Sequence, residues 1–293
     1  MDHFRIGALE VSRVEEFITH FDAKEFYPDL KPETVQANAS WLAPFFDIAG
    51  NRLPCIFQSF LIHYRGQTIL IDTCCGNDKE RIEMPPAHHL NTPYLNRLKA
   101  AGSTPEDVDF VLCTHMHVDH VGWNTRLSNG RWVPTFPNAK YIFSHAEYAR
   151  YAPENRMVEP PPPFLNIYED SVLPVIEAGQ SLLIEGEYVV NDSLTVIPAP
   201  GHTPGHFAVR AGRGMDTGLF IGDAMHNPLQ IAEPDLNSAY CENGPLARAT
   251  RRRILEECVE HNRLLVPGHF ATPHIGHVQA HGDGFRFLPG RYS

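Results

Sequence analysis

The sequence predicts a layered α/β domain, and two observations carry that prediction. Short apolar runs rich in β-branched residues recur along the chain, each closed by turn residues, and stretches with helical spacing of apolar residues lie between them. The chain has 293 residues, 43% of them apolar and 20% charged, an ordinary globular composition that suffices for one large core. We therefore expect a single domain over 1–293.

Residues 1–50 read as an N-terminal extension packed on that domain, because Val11 to Phe17 and Trp41 to Phe46 are apolar enough to be covered. Five strands follow. Ile69 to Ile71 ends in Asp72, Phe110 to Cys113 ends in Thr114 and His115, and Leu194 to Ile197 leads to Gly201 and His202. Leu219 to Ile221 ends in Gly222 and Asp223, and Leu264 to Val266 leads through Pro267 and Gly268 to His269. Each buried run is thus followed by a turn residue and then by a polar side chain able to bind metal. Helices are expected at Pro93 to Ala101, Ala146 to Tyr151, Ser171 to Ala178 and Leu246 to Asn262, the last with Leu255 and Val259 on an apolar stripe. Pro160 to Pro163 reads as a stiff extended loop. Gly282-Asp-Gly284 before Phe285 to Phe287 reads as the turn of a closing hairpin.

The net charge of -11 argues against nucleic acid or an anionic membrane surface as partner, since both need clustered Lys and Arg. A small-molecule substrate fits better. Cys55, Cys74, Cys75, Cys113, Cys241 and Cys258 show no C-x-x-C spacing, so reduced thiols are expected. The N-terminus lacks the layout of a signal peptide, and no run approaches the roughly 20 apolar residues of a membrane span. The expected location is cytoplasmic.

Seventeen histidines is a high count for this length, and three of them fall within seven residues in Thr114-His-Met-His-Val-Asp-His120. His115 and His117 are two apart, so just past a strand they can point the same way, while Asp119 and His120 fall on the next turn. His202, Asp223 and His269 arrive from other strand ends, giving five histidines and two aspartates as candidate ligands. A lone loop histidine is more often an ordinary surface or core residue, but here seven ligand-type residues recur in one structural context. Imidazole and carboxylate without thiolate suit zinc, and also manganese, iron or cobalt.

Thr114-His-Met-His-Val-Asp-His120, Pro200-Gly-His202, Gly222-Asp223 and Pro267-Gly-His269, with Asp72 upstream, resemble the ordered motifs of the metallo-β-lactamase superfamily over about residues 55 to 270. The resemblance implies a four-layer αββα sandwich with the site at one edge of two sheets. By motif position it implies that His115, His117 and His202 hold a first metal, that Asp119, His120 and His269 hold a second, and that Asp223 bridges both. Asp72 would orient the site without binding metal; a simple turn aspartate is the alternative. Two such metals, about 3.5–4 Å apart, trap a hydroxide at neutral pH, and hydrolysis is the implied chemistry. Asp223, and with it Asp119, would then act as catalytic carboxylates, Asp223 as a proton shuttle to the leaving group.

Within the superfamily, classical β-lactamases usually lack the residue at His120 or the bridging aspartate. Glyoxalase II-like enzymes carry a helical C-terminal domain, for which little chain remains after His269, and nuclease members need a basic arm. In layout the chain resembles the N-acyl homoserine lactonase and methyl parathion hydrolase branch, with its N-terminal extension and a long insert, here 123–190, over the pocket. Trp123, Trp132 and Phe164 would line that pocket, or simply pack. The resemblance implies a binuclear hydrolase of a carboxylic ester or lactone, with a homodimer as a modest further expectation. Alternatives are a phosphotriesterase or thioesterase of the same fold, or a mono-iron oxidoreductase of the persulfide dioxygenase type. Typical lactonases carry Tyr three residues after the bridging aspartate; this chain has His226, whose imidazole could serve the substrate there or be structural. His88 and His89 are left outside the site.

Overall fold

The computed structural model describes residues 3–155 and 166–290; the proline patch Pro160 to Pro163 and Phe164 lie outside them. The chain forms two compact units, one of Asp2–Phe17 and Phe57–Tyr188, the other of Ile18–Ile56 and Val189–Ser293.

The first unit is organised on strands β1 (His3–Ile6), β2 (Leu9–Asp22), β3 (Arg52–Tyr64), β4 (Gln67–Ile71), β5 (Phe110–Leu112), β6 (Lys140–Ser144) and β7 (Ser181–Ile184), in that spatial order. Of β2 and β3, 9–17 and 57–64 belong to this unit. β3 and β4 pair antiparallel, with Phe60 opposite Ile71. From β4 to β7 the pairing is parallel, which requires crossover connections. Helix Tyr94–Ala100 lies in the connection from β4 to β5, and helices His145–Tyr151 and Leu173–Glu177 lie in that from β6 to β7. Leu61, Leu70, Val111 and Tyr141 pack with Tyr94, Leu98 and Val175 in one core. A separate hairpin, Thr125–Ser128 with Arg131–Pro134, turns through Asn129 and Gly130, both at positive φ, as a tight two-residue turn demands. The helix expected at Ser171 to Ala178 begins with a wider π turn, Tyr168–Val172, and continues as α from Leu173 to Glu177.

The second unit holds β8 (Tyr188–Asn191), β9 (Leu194–Pro198), β10 (Phe207–Arg213), β11 (Asp216–Phe220), β12 (Leu264–Val266), β13 (Gly276–His281) and β14 (Gly284–Pro289), again in that order. Its parallel pair is β11 and β12, connected through helix Gly244–Glu260. That helix starts two residues earlier than the apolar spacing suggests, because Asn243 accepts from the Leu246 amide and a proline occupies the first turn. It ends before Asn262, which takes a positive φ. Ala247, Arg251, Ile254, Leu255 and Cys258 form its buried face. Against the same core lie Phe26, Tyr27, Leu42, Phe45 and Phe46 from the N-terminal segment, with Tyr27 donating to Gln230 at 3.0 Å. β13 and β14 form the closing hairpin around Gly282. Among the described residues no helix is long and apolar enough to cross a membrane, and no disulfide is formed.

Candidate metal centre

In the first unit the parallel register sets Ile69 opposite Phe110 and Ile71 opposite Leu112. The two strands therefore end side by side, and Asp72 and Thr114 leave on one edge. Asp72 sits at φ 57°, which turns its carboxylate back over the strand ends. Oδ1 accepts the Thr114 amide at 2.7 Å; Oδ2 accepts the Thr114 hydroxyl at 3.0 Å and His120 Nδ1 at 2.9 Å. Because Thr114 gives its one hydroxyl proton to Asp72, its oxygen must accept from His115 Nδ1, 3.1 Å away. In the neutral rings of His115 and His120 the lone pair thus sits on Nε2.

His117 precedes a single helical turn, Val118–Val121, which carries Asp119 and His120. The rings of His115 and His117 lie 4.5 Å apart, those of His115 and His120 4.1 Å. Asp119 Oδ2 lies 3.5 Å from His120 Nε2. All three histidines are buried, and Asp119 is half-buried.

Two groups that no local pattern announces hold this loop. Glu16, buried, accepts the amides of Cys75 and Gly76 and the Trp123 indole N–H, at 2.7, 3.3 and 2.6 Å; burial pushes its carboxyl up, opposed by those hydrogen bonds. Glu147, also buried, accepts the Met116 amide at 3.0 Å between the two histidines of the pair. The backbone closes as well, with Gly122 N donating to Cys74 O at 2.7 Å and Trp123 N to Thr73 O at 2.8 Å. Trp123 itself stacks on Tyr94, while Trp132 lies under the Lys79 ammonium. His88 accepts the Arg81 amide in a local turn.

In the second unit β9 and β10 pair up to Pro198 and Phe207, so His202 lies in the connecting loop. Gly201 there has φ 131°, and a Cβ on it would stand 2.3 Å from the Ala247 backbone nitrogen, so the loop meets helix Gly244–Glu260 only with glycine at this place. Phe220 and Val266 are parallel partners, which brings Asp223 and His269 out beside each other. The Asp223 carboxylate is ringed by imidazoles: Oδ1 is 3.0 Å from His269 Nε2, and Oδ2 is 3.4 Å from His202 Nε2 and 3.1 Å from His226 Nε2. His269 spends its Nδ1–H on the Ile56 carbonyl at 2.8 Å. A fourth histidine, His206, accepts the Asp223 amide on Nε2 at 3.0 Å.

A ring nitrogen facing a carboxylate oxygen must hold a proton or share a cation with it. His269 shows the pressure: burial pushes its imidazole down, but the Asp223 carboxylate, with Cys55 nearby, holds it well above the usual range. In each unit the donors brought out by strand ends and the loops or turn that follow them are imidazoles and carboxylates, and such donors suit borderline divalent metals.

These features define an α/β protein with nitrogen and oxygen donors for divalent metal. The chain belongs to the metallo-beta-lactamase superfamily, whose pattern matches residues 54–269. An N-acyl homoserine lactonase of Bacillus sp is 34% identical over 114 residues, 38% of this chain and 36% of that protein. The N-acyl homoserine lactonase AttM of Agrobacterium fabrum is 32% identical over 130 residues, 40% of this chain and 41% of that protein. The chain thus spans well under half the length of these relatives. Among solved structures, the dizinc quorum-quenching lactonase AidC in complex with a homoserine product superposes with a TM-score of 0.78 at 18% identity, covering 99% of this chain and 97% of that one. The hydrolase AbOPH gives the same score at 22% identity, with the same coverage. At these identities the likeness shows the fold.

Proposed function

We propose that the chain is a metal-dependent hydrolase that takes two divalent metals, zinc foremost. His115, His117 and His202 would hold one, Asp119, His120 and His269 the other, with Asp223 serving both. The observation that carries this reading is the Asp223 carboxylate ringed by imidazole nitrogens in an otherwise buried setting, a charge arrangement that calls for cations. In support, His115, His120 and His269 each engage Nδ1 elsewhere, which is how metal-binding imidazoles are commonly oriented. The metal-capable groups among the described residues comprise these seven residues and no cysteine.

Two such ions would supply Lewis acidity and a water acidic enough to attack at neutral pH. The chain's own residues do the rest. Asp72 fixes the His120 ring, Asp119 adds negative charge beside it, and Asp223 would pass a proton to the leaving group. His226 donates from Nε2 to Asp223 Oδ2 and so steadies the carboxylate in the orientation that work needs.

The substrate we propose is a carboxylic ester or lactone, with N-acyl homoserine lactones first among candidates. The support is the naming of the Bacillus and Agrobacterium relatives and the product held by AidC. The test is metal analysis followed by a hydrolysis screen of the zinc-loaded protein against lactones, aryl esters, phosphotriesters and thioesters. Two equivalents of metal with lactones or esters cleaved fastest is the expected result. Cleavage of a phosphotriester or thioester alone would replace the substrate assignment, and a single iron with oxygen consumed in turnover would replace the reaction.

A further inference from the structure

We propose that His206 is a positioning residue for Asp223, acting through the backbone. This rests on the metal-dependent reading above and adds to it a residue outside the ligand set.

Asp223 stands in a tight turn. Gly222 before it has φ 47°, Ala224 N bonds back to Ile221 O at 3.1 Å, and Gly268 N bonds to Gly222 O at 3.3 Å. The Asp223 amide is therefore turned away from the β11 and β12 ladder and needs an acceptor, since an unpaired buried amide costs about 1–3 kcal/mol. His206 Nε2 is that acceptor, at 3.0 Å, from a ring only 1% exposed. An imidazole can accept there only with Nε2 bare, so its proton resides on Nδ1.

The connection matters because of where His206 sits. It lies in the same loop as His202, just before Phe207, whose pairing with Pro198 closes β9 on β10; its carbonyl accepts the Ala199 amide at 2.9 Å. One short loop thus meets Asp223 twice, His202 at carboxylate Oδ2 and His206 at the amide. Fixing both ends of the residue fixes χ1 and hence the direction of its two oxygens, Oδ1 toward His269 and Oδ2 toward His202 and His226. A leucine of similar bulk would fill the space and leave the turn without that tether.

The experiment compares wild type, His206→Leu and His206→Gln, each loaded with cobalt(II). Metal affinity is measured by chelator competition and the ligand field by visible absorption. Wild type should bind two equivalents. His206→Leu should bind at least one of them about 10–100-fold more weakly, with altered cobalt bands, as expected when a group supporting a ligand is removed. His206→Gln, whose amide oxygen can accept the same N–H, should restore much of both. His206→Leu with wild-type affinity and spectrum would overturn the proposal. If wild type itself binds no metal, the two-metal reading fails, and the tether is judged separately, as it is if the leucine variant does not fold. In 15N-labelled wild type, coupling across the hydrogen bond from the Asp223 amide to His206 Nε2, with the proton on Nδ1, supports it; a His206 protonated on Nε2 without that coupling overturns it.

Discussion

The imidazole of His120 donates from Nδ1 to Asp72 Oδ2 at 2.9 Å, and the same carboxylate takes the Thr114 amide and hydroxyl. Three groups of the Thr114–His120 loop are thus oriented by a single residue from a neighbouring strand end. Asp72→Ala should leave the buried Thr114 amide without this acceptor, lowering stability by about 1–3 kcal/mol, and should weaken metal binding about 10–100-fold. Asp72→Asn keeps an oxygen and should fall between. Calorimetric titration with zinc and denaturant unfolding check the two effects. Wild-type zinc affinity in Asp72→Ala would reduce Asp72 to a strand cap.

Gly122 makes a prediction of steric origin. A Cβ placed on it would stand 1.8 Å from the Cys75 carbonyl oxygen, where the 72–76 loop is bonded to Gly122 and Trp123. No side chain can rotate to relieve a clash with backbone. Gly122→Ala should cost at the upper end of, or beyond, the roughly 1–3 kcal/mol typical of overpacking, seen as a lower unfolding midpoint. An unchanged midpoint would mean the two segments separate easily.

What the sequence made legible was the local part of this arrangement. β4, β5, β9, β11 and β12 stand out as apolar runs, and Asp72, His115, His202, Asp223 and His269 stand out because each follows one. Parallel register sets Asp72 beside Thr114 and Asp223 beside His269, and it too is implied once a helix lies between strands, whereas His202 leaves an antiparallel pair. The supporting residues were not legible for a physical reason: their partners are distant in sequence. Glu16 reaches Cys75 across 59 positions and Glu147 reaches Met116 across 31, with no periodicity to mark either. His206 carries a weak signal, a second histidine in Pro200-Gly-His-Thr-Pro-Gly-His206, but nothing local says which backbone amide it meets. Trp123 was open between pocket wall and packing; its stacking on Tyr94 and its bond to Glu16 are contacts no spacing could announce.

Lys79 supplies a pH prediction away from the proposed metal ligands. Its ammonium is wholly buried, 2.8 Å from Thr125 Oγ1 and 3.0 Å from the Asp170 carbonyl, and 3.8 Å above the Trp132 ring. The Asp170 carboxylate, 3.5 Å from the ammonium, is shared with Arg81, which holds it in a two-point pair at 2.7 and 2.8 Å. Burial therefore outweighs the help of Asp170 and lowers the lysine to about 7. In the unfolded chain it titrates near its ordinary value, about 10.4. Between these two values the unfolded state binds more protons, so stability contributed by this residue rises with pH, by at most about 1.4 kcal/mol per unit. Below about 7 both states are protonated and the slope vanishes. Lys79→Met should remove this slope. Urea unfolding of both proteins from pH 6 to 9.5 checks it, and parallel curves would refute the buried, shifted lysine.

Asp223 and His226 touch, yet their replacement should have different consequences. Asp223 offers two oxygens to three imidazoles, whereas His226 approaches only Oδ2, at 3.1 Å, and its ring is stacked on His269 and edged against Phe26. On the proposed reading, in which Asp223 is both a shared ligand and the proton carrier, Asp223→Ala should lower metal content and cut turnover by orders of magnitude together. His226→Phe preserves the aromatic packing and removes only the donor to Oδ2. It should keep two equivalents of metal while turnover on the best lactone or ester falls about 10–100-fold, the size expected when a group orienting a ligand is lost. Elemental analysis and steady-state kinetics on the same preparations separate the two outcomes. Loss of metal in His226→Phe would make His226 part of the ligand set, and unchanged turnover would make its contact with Asp223 incidental to the chemistry.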